Sequence, residues 1–481
     1  MFERLVVDKQ APRTIVVVPG LSMDADTLAM IDGVRHYEER QLSILMWLRL
    51  PNTRVVFVTS EPLDPIVIDY YLGLLQGVPG AHARRRLTLL SAYDASPVTL
   101  TRKILDRPRL VERIRAAMGD PACAHLSVFN GTELEAALAV QLGIPLYACD
   151  PELAHWGSKS GSRRAFRAAG VTCADGAEDL RDLDDAAQAM VMLKHRDPEL
   201  RRCVLKHNEG FSGEGNAVFD FAGAPDPVTV EWVRRELPSR LHCEAKLEHY
   251  EHYAEKFRSL RGIVEAWVEG SDKCSPSVQL RVNPARELEL ISTHDQVLGG
   301  RTGQIFLGCT FPASESYRNT LHQAGWRVGE VLRDRGVLGR IGVDFVSHRT
   351  PQGWRHVAIE INLRKGGTTL PFHMLQFLTG GRYDADAGRF VTPLGQSRCY
   401  YATDALQRPT YRRFIPEDLI DILVSRRLHF DYTYQRGVVF NLLGALSEFG
   451  KLGVVCIAES LPEARRLFED TVSVLDREAQ S

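Results

Sequence analysis

The sequence predicts a multidomain chain of mixed α/β and α+β architecture, and three observations carry that expectation. Its 481 residues, at roughly 150 per domain, suggest about three domains. Up to about residue 150, short β-rich runs alternate with amphipathic stretches, the pattern of a mainly parallel sheet covered by helices. Beyond about residue 200, strand pairs with long connections replace that alternation, the pattern of antiparallel sheets.

The early runs are TIVVV (Thr14 to Val18), RVVFV (Arg54 to Val58), LTLL (Leu87 to Leu90), HLSVF (His125 to Phe129) and PLYAC (Pro145 to Cys149). Helical candidates between them include IVIDYYLGLLQG, PRLVERIRAAM and TELEAALAVQLG, the last opening on Thr132 as an N-cap. The later runs are CVLKH, NAVFDF, IVEAWV, SVQLRV, LELIST, GVDFV and HVAIEIN. From about residue 420 the chain reads as a small strand-helix-strand-helix appendage. The expected division is 1–150, 151–265, 266–400 and 401–481.

Composition narrows the function. Apolar residues at 44% and charged residues at 25% fit a globular protein and exclude a largely disordered one. The 59 Lys and Arg nearly balance 61 Asp and Glu, for a net charge of −2, so no global field favours nucleic acid. Nine scattered cysteines without a C-x-x-C pair argue for reduced thiols rather than disulfides or structural zinc. No signal-peptide h-region and no membrane-length apolar run is evident, so a cytoplasmic location and no membrane partner are expected. The first strand runs into Pro19-Gly20-Leu21-Ser22 rather than G-x-G-x-x-G, and Gly157-Ser158-Lys159-Ser160 lacks the P-loop spacing, so dinucleotide and P-loop sites are disfavoured.

Three groups could carry chemistry. Lys206 ends a β run and is followed by Asn208-Glu209-Gly210-Phe211-Ser212-Gly213-Glu214-Gly215-Asn216, a glycine loop whose amides could cradle phosphate beside the ammonium; an ordinary glycine hairpin is the alternative. In HVAIEIN, alternation places Ala358, Glu360 and Asn362 on one face, and Pro351 and Gly353 suit a hairpin that sets Asp344 beside Glu360. Two carboxylates and an amide oxygen suit Mg²⁺, whereas each alone reads as a solvated strand face. Arg364 and Lys365 follow at once with two glycines, as cations for developing charge or as a basic turn. Elsewhere, His249 and His252 could share a metal, and His294-Asp295 could act as a base pair. Packing or solvent exposure is the simpler reading of the histidine pair, and His294-Asp295 could equally be a structural turn or a binding contact within the active cleft. Arg84-Arg85-Arg86 and Arg163-Arg164 read as solvated faces.

In this order, the residues resemble the ATP-grasp superfamily and, more narrowly, the peptide ligases related to the pheganomycin ligase. The resemblance spreads over most of the chain and implies a pre-ATP-grasp α/β domain, then two lobes that clasp ATP between antiparallel sheets. It places Lys159 and Lys206 on the α- and β-phosphates. Glu209, Gly210, Ser212, Gly213 and Gly215 lie in the mobile phosphate loop. Glu265, Ala266, Trp267 and Val268 form the adenine hinge, and Asp272 is the ribose candidate with Glu269 competing. Asp344, Glu360 and Asn362 match the magnesium ligands, and Arg281, Arg364 and Lys365 are assigned to the acyl phosphate and the acceptor. The runs EINLRKGGTTLPF, SPSVQLR and STHDQ resemble the narrower group.

The resemblance implies ATP and Mg²⁺ as cofactors and an ADP-producing carboxylate–amine ligase. Its partners are a small carboxylic acid or amino acid and an amine or peptide acceptor, in peptide natural-product biosynthesis. Homo-oligomerisation stays open. A carboxylate kinase, a carboxylate–thiol ligase and a catalytically inert nucleotide-binding scaffold are the alternatives.

Overall fold

A computed structural model describes residues 2–23, 28–29, 31–210, 213, 215–245, 248–270, 272–300 and 303–480. Ser212, with Phe211 and Glu214 of the glycine loop, lies outside the described residues.

The first sheet holds β1 (Arg13–Val18), β2 (Thr53–Thr59), β3 (Leu87–Ser91) and β4 (Ala124–Val128), all parallel, in the order β3-β2-β1-β4. Every residue of β1 is buried, as a parallel strand covered on both faces requires. PLYAC, expected as a fifth strand, makes only a single bridge, Leu126 to Leu146. It lies beside β4, where the Leu126 N–H donates to the Pro145 oxygen and the Tyr147 N–H to the Leu126 oxygen. The helix Glu133–Leu142 starts where expected, with Thr132 and Glu135 closing a reciprocal capping box. Glu135 is 1% exposed and also accepts from Ser22 Oγ (2.5 Å) and from the Thr101 hydroxyl. It therefore pins the turn after β1 to two helices.

The second sheet contains β5 (Gly176–Leu180), β6 (Arg202–His207), β7 (Asn216–Asp220), β8 (Leu241–Cys243) and β9 (Gly262–Ala266), ordered β5-β9-β6-β7-β8 and antiparallel throughout. It encloses its own core around Phe219, Trp232, Tyr253 and Phe257.

The third sheet has eight strands. It runs through β10 (Pro276–Val282), β11 (Leu288–Gly299), β12 (Ile305–Phe311), β13 (Gly339–Thr350) and β14 (Gly353–Asn362). A two-stranded ribbon, β15 (Arg382–Asp384) and β16 (Arg389–Val391), intervenes. The sheet resumes with β17 (Cys399–Gln407), β18 (Gly437–Asn441) and β19 (Lys451–Ala458), giving the order β14-β13-β10-β11-β12-β17-β19-β18. The closing strand-helix-strand-helix is present, and its strands add to the edge of this sheet. They share a core with the first sheet, which places Val17 and Phe57 with Phe311, Phe440 and Val455.

A helical connection, Val34–Arg49, holds that junction through buried polar groups. Glu39 accepts the Gly444 N–H at 3.1 Å from both oxygens, and Arg40 pairs with Asp404 at 3.3 Å. No cysteine forms a disulfide, and among the described residues no helix is long and apolar enough to cross a membrane.

Glu135→Ala leaves Ser22, Thr101 and Thr132 without their shared acceptor. It should cost about 3 kcal/mol in urea unfolding, whereas an unchanged midpoint would deny the carboxylate its role as a hub.

Candidate active site

The site begins with the antiparallel pairing of β13 and β14. Their hairpin turns at Thr350–Gly353 and sets Asp344 directly opposite Glu360 and Gly342 opposite Asn362. The register slips between Asp344 and Phe345, so Phe345 faces Ala358 and Ile359 is an extra residue. This corrects the strict alternation expected of HVAIEIN. Ala358 enters the core with Phe345 and Ile361, while Glu360 and Asn362 stay on the opposite face.

Around the two carboxylates the polar groups are tightly arranged. Asp344 accepts from Asn362 Nδ2 at 2.9 Å and from Gln296 Nε2 at 2.8 Å. Glu360 pairs with Lys159 Nζ at 2.7 Å. Burial and the neighbouring Glu360 push the Asp344 carboxyl up to about 7, against the pull of Arg364 and Lys159. Burial also opposes ionisation of Glu360, but Lys159, then Arg364 and Lys206, outweigh it and hold that carboxyl below its usual range.

Paired carboxylates at the centre of a cationic ring are where a divalent ion gains most. The Asn362 amide, tied to Asp344 through nitrogen, leaves its carbonyl oxygen as a further hard donor. The donor set therefore fits Mg²⁺. Among the described residues no cluster of three His, Cys, Asp or Glu side chains exists that could hold a metal. An ion here would complete its shell with ligand oxygens and water, and the His249/His252 pair loses its claim. His252 instead contacts Glu248 at 2.5 Å.

Lys159 opens the helix Lys159–Ala168, capped by Ser158, whose Oγ accepts the Gly161 N–H at 3.0 Å. A Cβ on Gly161 would overlap the His155 carbonyl, so glycine permits the tight entry to this helix. Ser162 Oγ accepts the Ile361 N–H at 3.0 Å, which fastens the helix to β14. Asn208, at the start of the glycine loop, accepts the Lys159 N–H on its backbone oxygen and the Ser160 N–H on its side chain, both at 3.0 Å. Asn208 lies two residues after Lys206, so the strand that carries the second lysine is anchored to the helix that carries the first.

Lys206 is 4% exposed and gives its ammonium to Glu265 Oε2 at 2.7 Å, while Arg163 Nη1 takes Glu265 Oε1 at 2.5 Å. Burial works against ionisation of Glu265, yet Lys206 and Arg163 hold it below its usual range. The carboxylate expected to help hold adenine is thus committed to two cations. Ala266 and Trp267 donate their N–H groups to Asp175 and Arg202 oxygens, and the Val268 oxygen accepts from Lys273. Glu269 pairs with Arg202 at 2.8 Å, and Asp272 is exposed with a left-handed backbone. Glu209 and Gly210 are exposed, and Gly213 and Gly215 follow in the same loop. A Cβ on Gly213 (φ +85°) would press on the Gln304 carbonyl, and Asn216 Nδ2 reaches Gln304 Oε1 at 2.9 Å. The loop therefore touches the turn between β11 and β12 of the large sheet.

Arg281, Arg364 and Lys365 line one cavity. Arg281 pairs with Glu289, Arg364 lies over the Phe129 ring, and Lys365 Nζ donates to Gln41 Oε1 (2.6 Å) and Ser127 Oγ (2.8 Å). Burial, aided by Arg340, lowers the Lys365 ammonium to about 7.

Five residues escaped the sequence or were misread. Gln296 lies in the STHDQ run but was given no role. Arg163, expected to be solvated, is 2% exposed and braces Glu265, because the Arg163 face of its helix packs inward. Arg86 likewise donates to the Leu48, Leu50 and Thr53 carbonyls. His294 and Asp295 project to opposite faces of β11, His294 to Tyr400 at 2.6 Å and Asp295 to Ser314 and Tyr317, so they form no base pair.

With this geometry, likeness to known proteins becomes informative. L-propargylglycine–L-glutamate ligase of Streptantibioticus cattleyicolor is 31% identical over 447 residues, covering 91% of this chain and 88% of that protein. This chain belongs to the ATP-grasp superfamily. The family described as IQCH-like, ATP-grasp matches residues 230–386 of this ATP-grasp chain, and the PGM1 C-terminal domain family matches 418–471. IQ motif-containing protein H of Danio rerio is 23% identical across 97% of the chain, which spans about half (49%) of that relative. Among solved ATP-grasp structures, the ADP complex of purK, N5-carboxyaminoimidazole ribonucleotide synthetase, superposes with a TM-score of 0.53 at 13% identity. That match covers 97% of this chain and 98% of that one. The biotin carboxylase domain of Hydrogenobacter thermophilus 2-oxoglutarate carboxylase gives 0.55 at 12% identity, covering 96% and 89%.

Two outcomes follow from the buried charges. Glu265→Ala strands the Lys206 ammonium, while Arg163 keeps Glu178 and the Ala174 carbonyl, and should cost about 3–5 kcal/mol in urea unfolding, with an unchanged midpoint contradicting the pairing. Lys365, titrating near 7 when folded and near 10.4 when unfolded, binds fewer protons in the folded chain between those values. The wild type should therefore gain stability relative to Lys365→Met as pH rises from 7 to 9; a constant difference would show Lys365 to be unperturbed.

Proposed function

We propose that this protein is an ATP-dependent carboxylate–amine ligase that forms an amide or peptide bond through an acyl phosphate. The observation that carries the reading is the in-register pair Asp344 and Glu360, with Lys159 on Glu360 and its helix held by Asn208, two residues after Lys206. The 31% relative, named as a ligase of two amino acids, supports the same reaction class. The substrates are a small carboxylic acid or amino acid and an amine or peptide acceptor, in the making of a peptide natural product.

In this reading Lys159 and Lys206 leave their carboxylates for the α- and β-phosphates of ATP. Asp344, Glu360 and Asn362 hold magnesium. When bound, Mg²⁺ neutralises charge on the transferring phosphoryl group. A carboxylate oxygen of the acid attacks the γ-phosphorus and ADP departs. The amine nitrogen then attacks the acyl carbon, phosphate leaves, and the nitrogen gives up a proton. No protein nucleophile is required, and Arg281, Arg364 and Lys365 orient the anions. The glycine loop from Glu209 to Gly215 covers the phosphates, and Glu265 supports Lys206 from behind. Trp267 and Val268 stand at the adenine position, and Asp272 or Glu269 is the ribose contact. The units 1–150, 151–265 and 266–400 then serve as acid-binding, nucleotide and metal parts, and the strands of 401–481 extend the sheet of the metal part.

Mg-ATP incubated with acid and amine panels should release ADP only with a suitable acid. Oxygen-18 in that carboxylate should appear in the released phosphate. Glu360→Gln should lower turnover at least about a hundredfold while circular dichroism is unchanged. Production of AMP would remove the acyl phosphate, and retained turnover in the variant would remove the metal assignment.

A further inference from the structure

A cavity of about 280 Å³ lies where the first sheet meets the large one, between β1 and β4 on one side and β10, β13 and the helix Thr369–Thr379 on the other. Leu363, Arg364 and Lys365, the residues immediately after Asn362, form part of its wall, so it adjoins the paired carboxylates. Its charge is one-sided. Arg13, Arg281, Arg340, Arg364 and Lys365 line it, and no lining residue is acidic. The Glu289 partner of Arg281 lies outside the wall.

Polar nitrogens in this wall lack partners. Arg13 Nε and Nη1, Arg281 Nε, His125 Nδ1 and His373 Nδ1 are buried without a partner. Arg340 donates to His373 Nε2 at 2.9 Å, so the hydrogen of that ring sits on the unpartnered Nδ1. Burial, then Arg340, Lys365 and Arg281, keep His373 neutral; burial, Lys365 and Arg13 bring His125 down to about 4. Buried donors without acceptors are uncommon because each costs the desolvation of its group. Several gathered around one cationic cavity point to an anionic acceptor supplied by a ligand. Between the polar groups the wall is apolar, with Ile15, Ile44, Trp47 and Val128. The volume lies just below the roughly 300–1,000 Å³ typical of small-molecule sites, which suits an amino-acid-sized guest and not a peptide.

We infer that this cavity receives a small diacid: its reacting carboxylate faces Arg364, and its second, non-reacting anionic group lies among Arg13, Arg340 and His373. This rests on the ligase reading above and adds to it the class of the acid. The second anion takes no part in bond making. The cations hold it, and its short carbon chain crosses the apolar wall. A monoamide of the same shape would bury an NH₂ against arginine donors, a mismatch that polar sites reject strongly.

The test is calorimetric titration of the full-length protein, saturated with Mg²⁺ and a nonhydrolysable ATP analogue. Succinate, glutarate and L-glutamate are compared with succinamate, glutaramate and L-glutamine. At least one diacid should bind about tenfold or more tightly than its monoamide. Arg340→Met and Arg13→Met should each erase that preference while the analogue still binds. Equal binding within every pair, no diacid binding to the analogue-loaded wild type, or an intact preference in both variants would overturn the inference. A wild type that binds no analogue would instead overturn the ligase reading beneath it. If a variant misfolds, the wild-type comparison decides alone.

Discussion

The antiparallel register of β13 and β14 is the constraint on which the site depends. It holds Asp344 and Glu360 directly across from each other, where two ionised groups repel and burial adds to the penalty. Such an arrangement persists only if cations surround it, and the chain supplies Lys159 at 2.7 Å and Arg364 nearby. The bulge after Asp344 matters for the same reason. It lets Phe345 and Ala358 fill the core while the next residues keep their polar side chains on the open face.

From that hairpin the rest of the site is reached through short, specific links. Ser162 fastens the Lys159 helix to the backbone of Ile361, and Asn208 fastens the same helix to the glycine loop. Arg163, Glu265 and Lys206 form a buried triad that positions the second lysine from below. Each lysine is held by a carboxylate in this structure, and a phosphate offers each a partner of higher charge. The same exchange would free Glu360 for a divalent ion. In the proposed reading, charge balance would couple nucleotide binding to metal binding.

Much of this was legible in the chain itself, for local reasons. The polar face of HVAIEIN and the Pro351/Gly353 turn set the carboxylates side by side, and Thr132 with Glu135 marked a helix start that the structure keeps. What escaped was what depends on distant partners. A single extra residue at Ile359 leaves no mark on periodicity, so Ala358 was placed on the wrong face. Arg163 and Arg86 looked like surface charge because nothing in RR or RRR tells what packs against them. The cationic cavity was invisible because its wall is gathered from the N-terminal segment, two sheets and two helices, segments that lie up to hundreds of residues apart. Gln296 stood in a noted run, but only the fold shows it reaching Asp344.

The most direct measurement is a structure of the protein with Mg²⁺ and a nonhydrolysable ATP analogue. The account predicts that Lys159 Nζ leaves Glu360 for a phosphate oxygen and that Asp344, Glu360 and Asn362 all contact the metal. A bound analogue with the Lys159–Glu360 pair intact and the metal held elsewhere would contradict it.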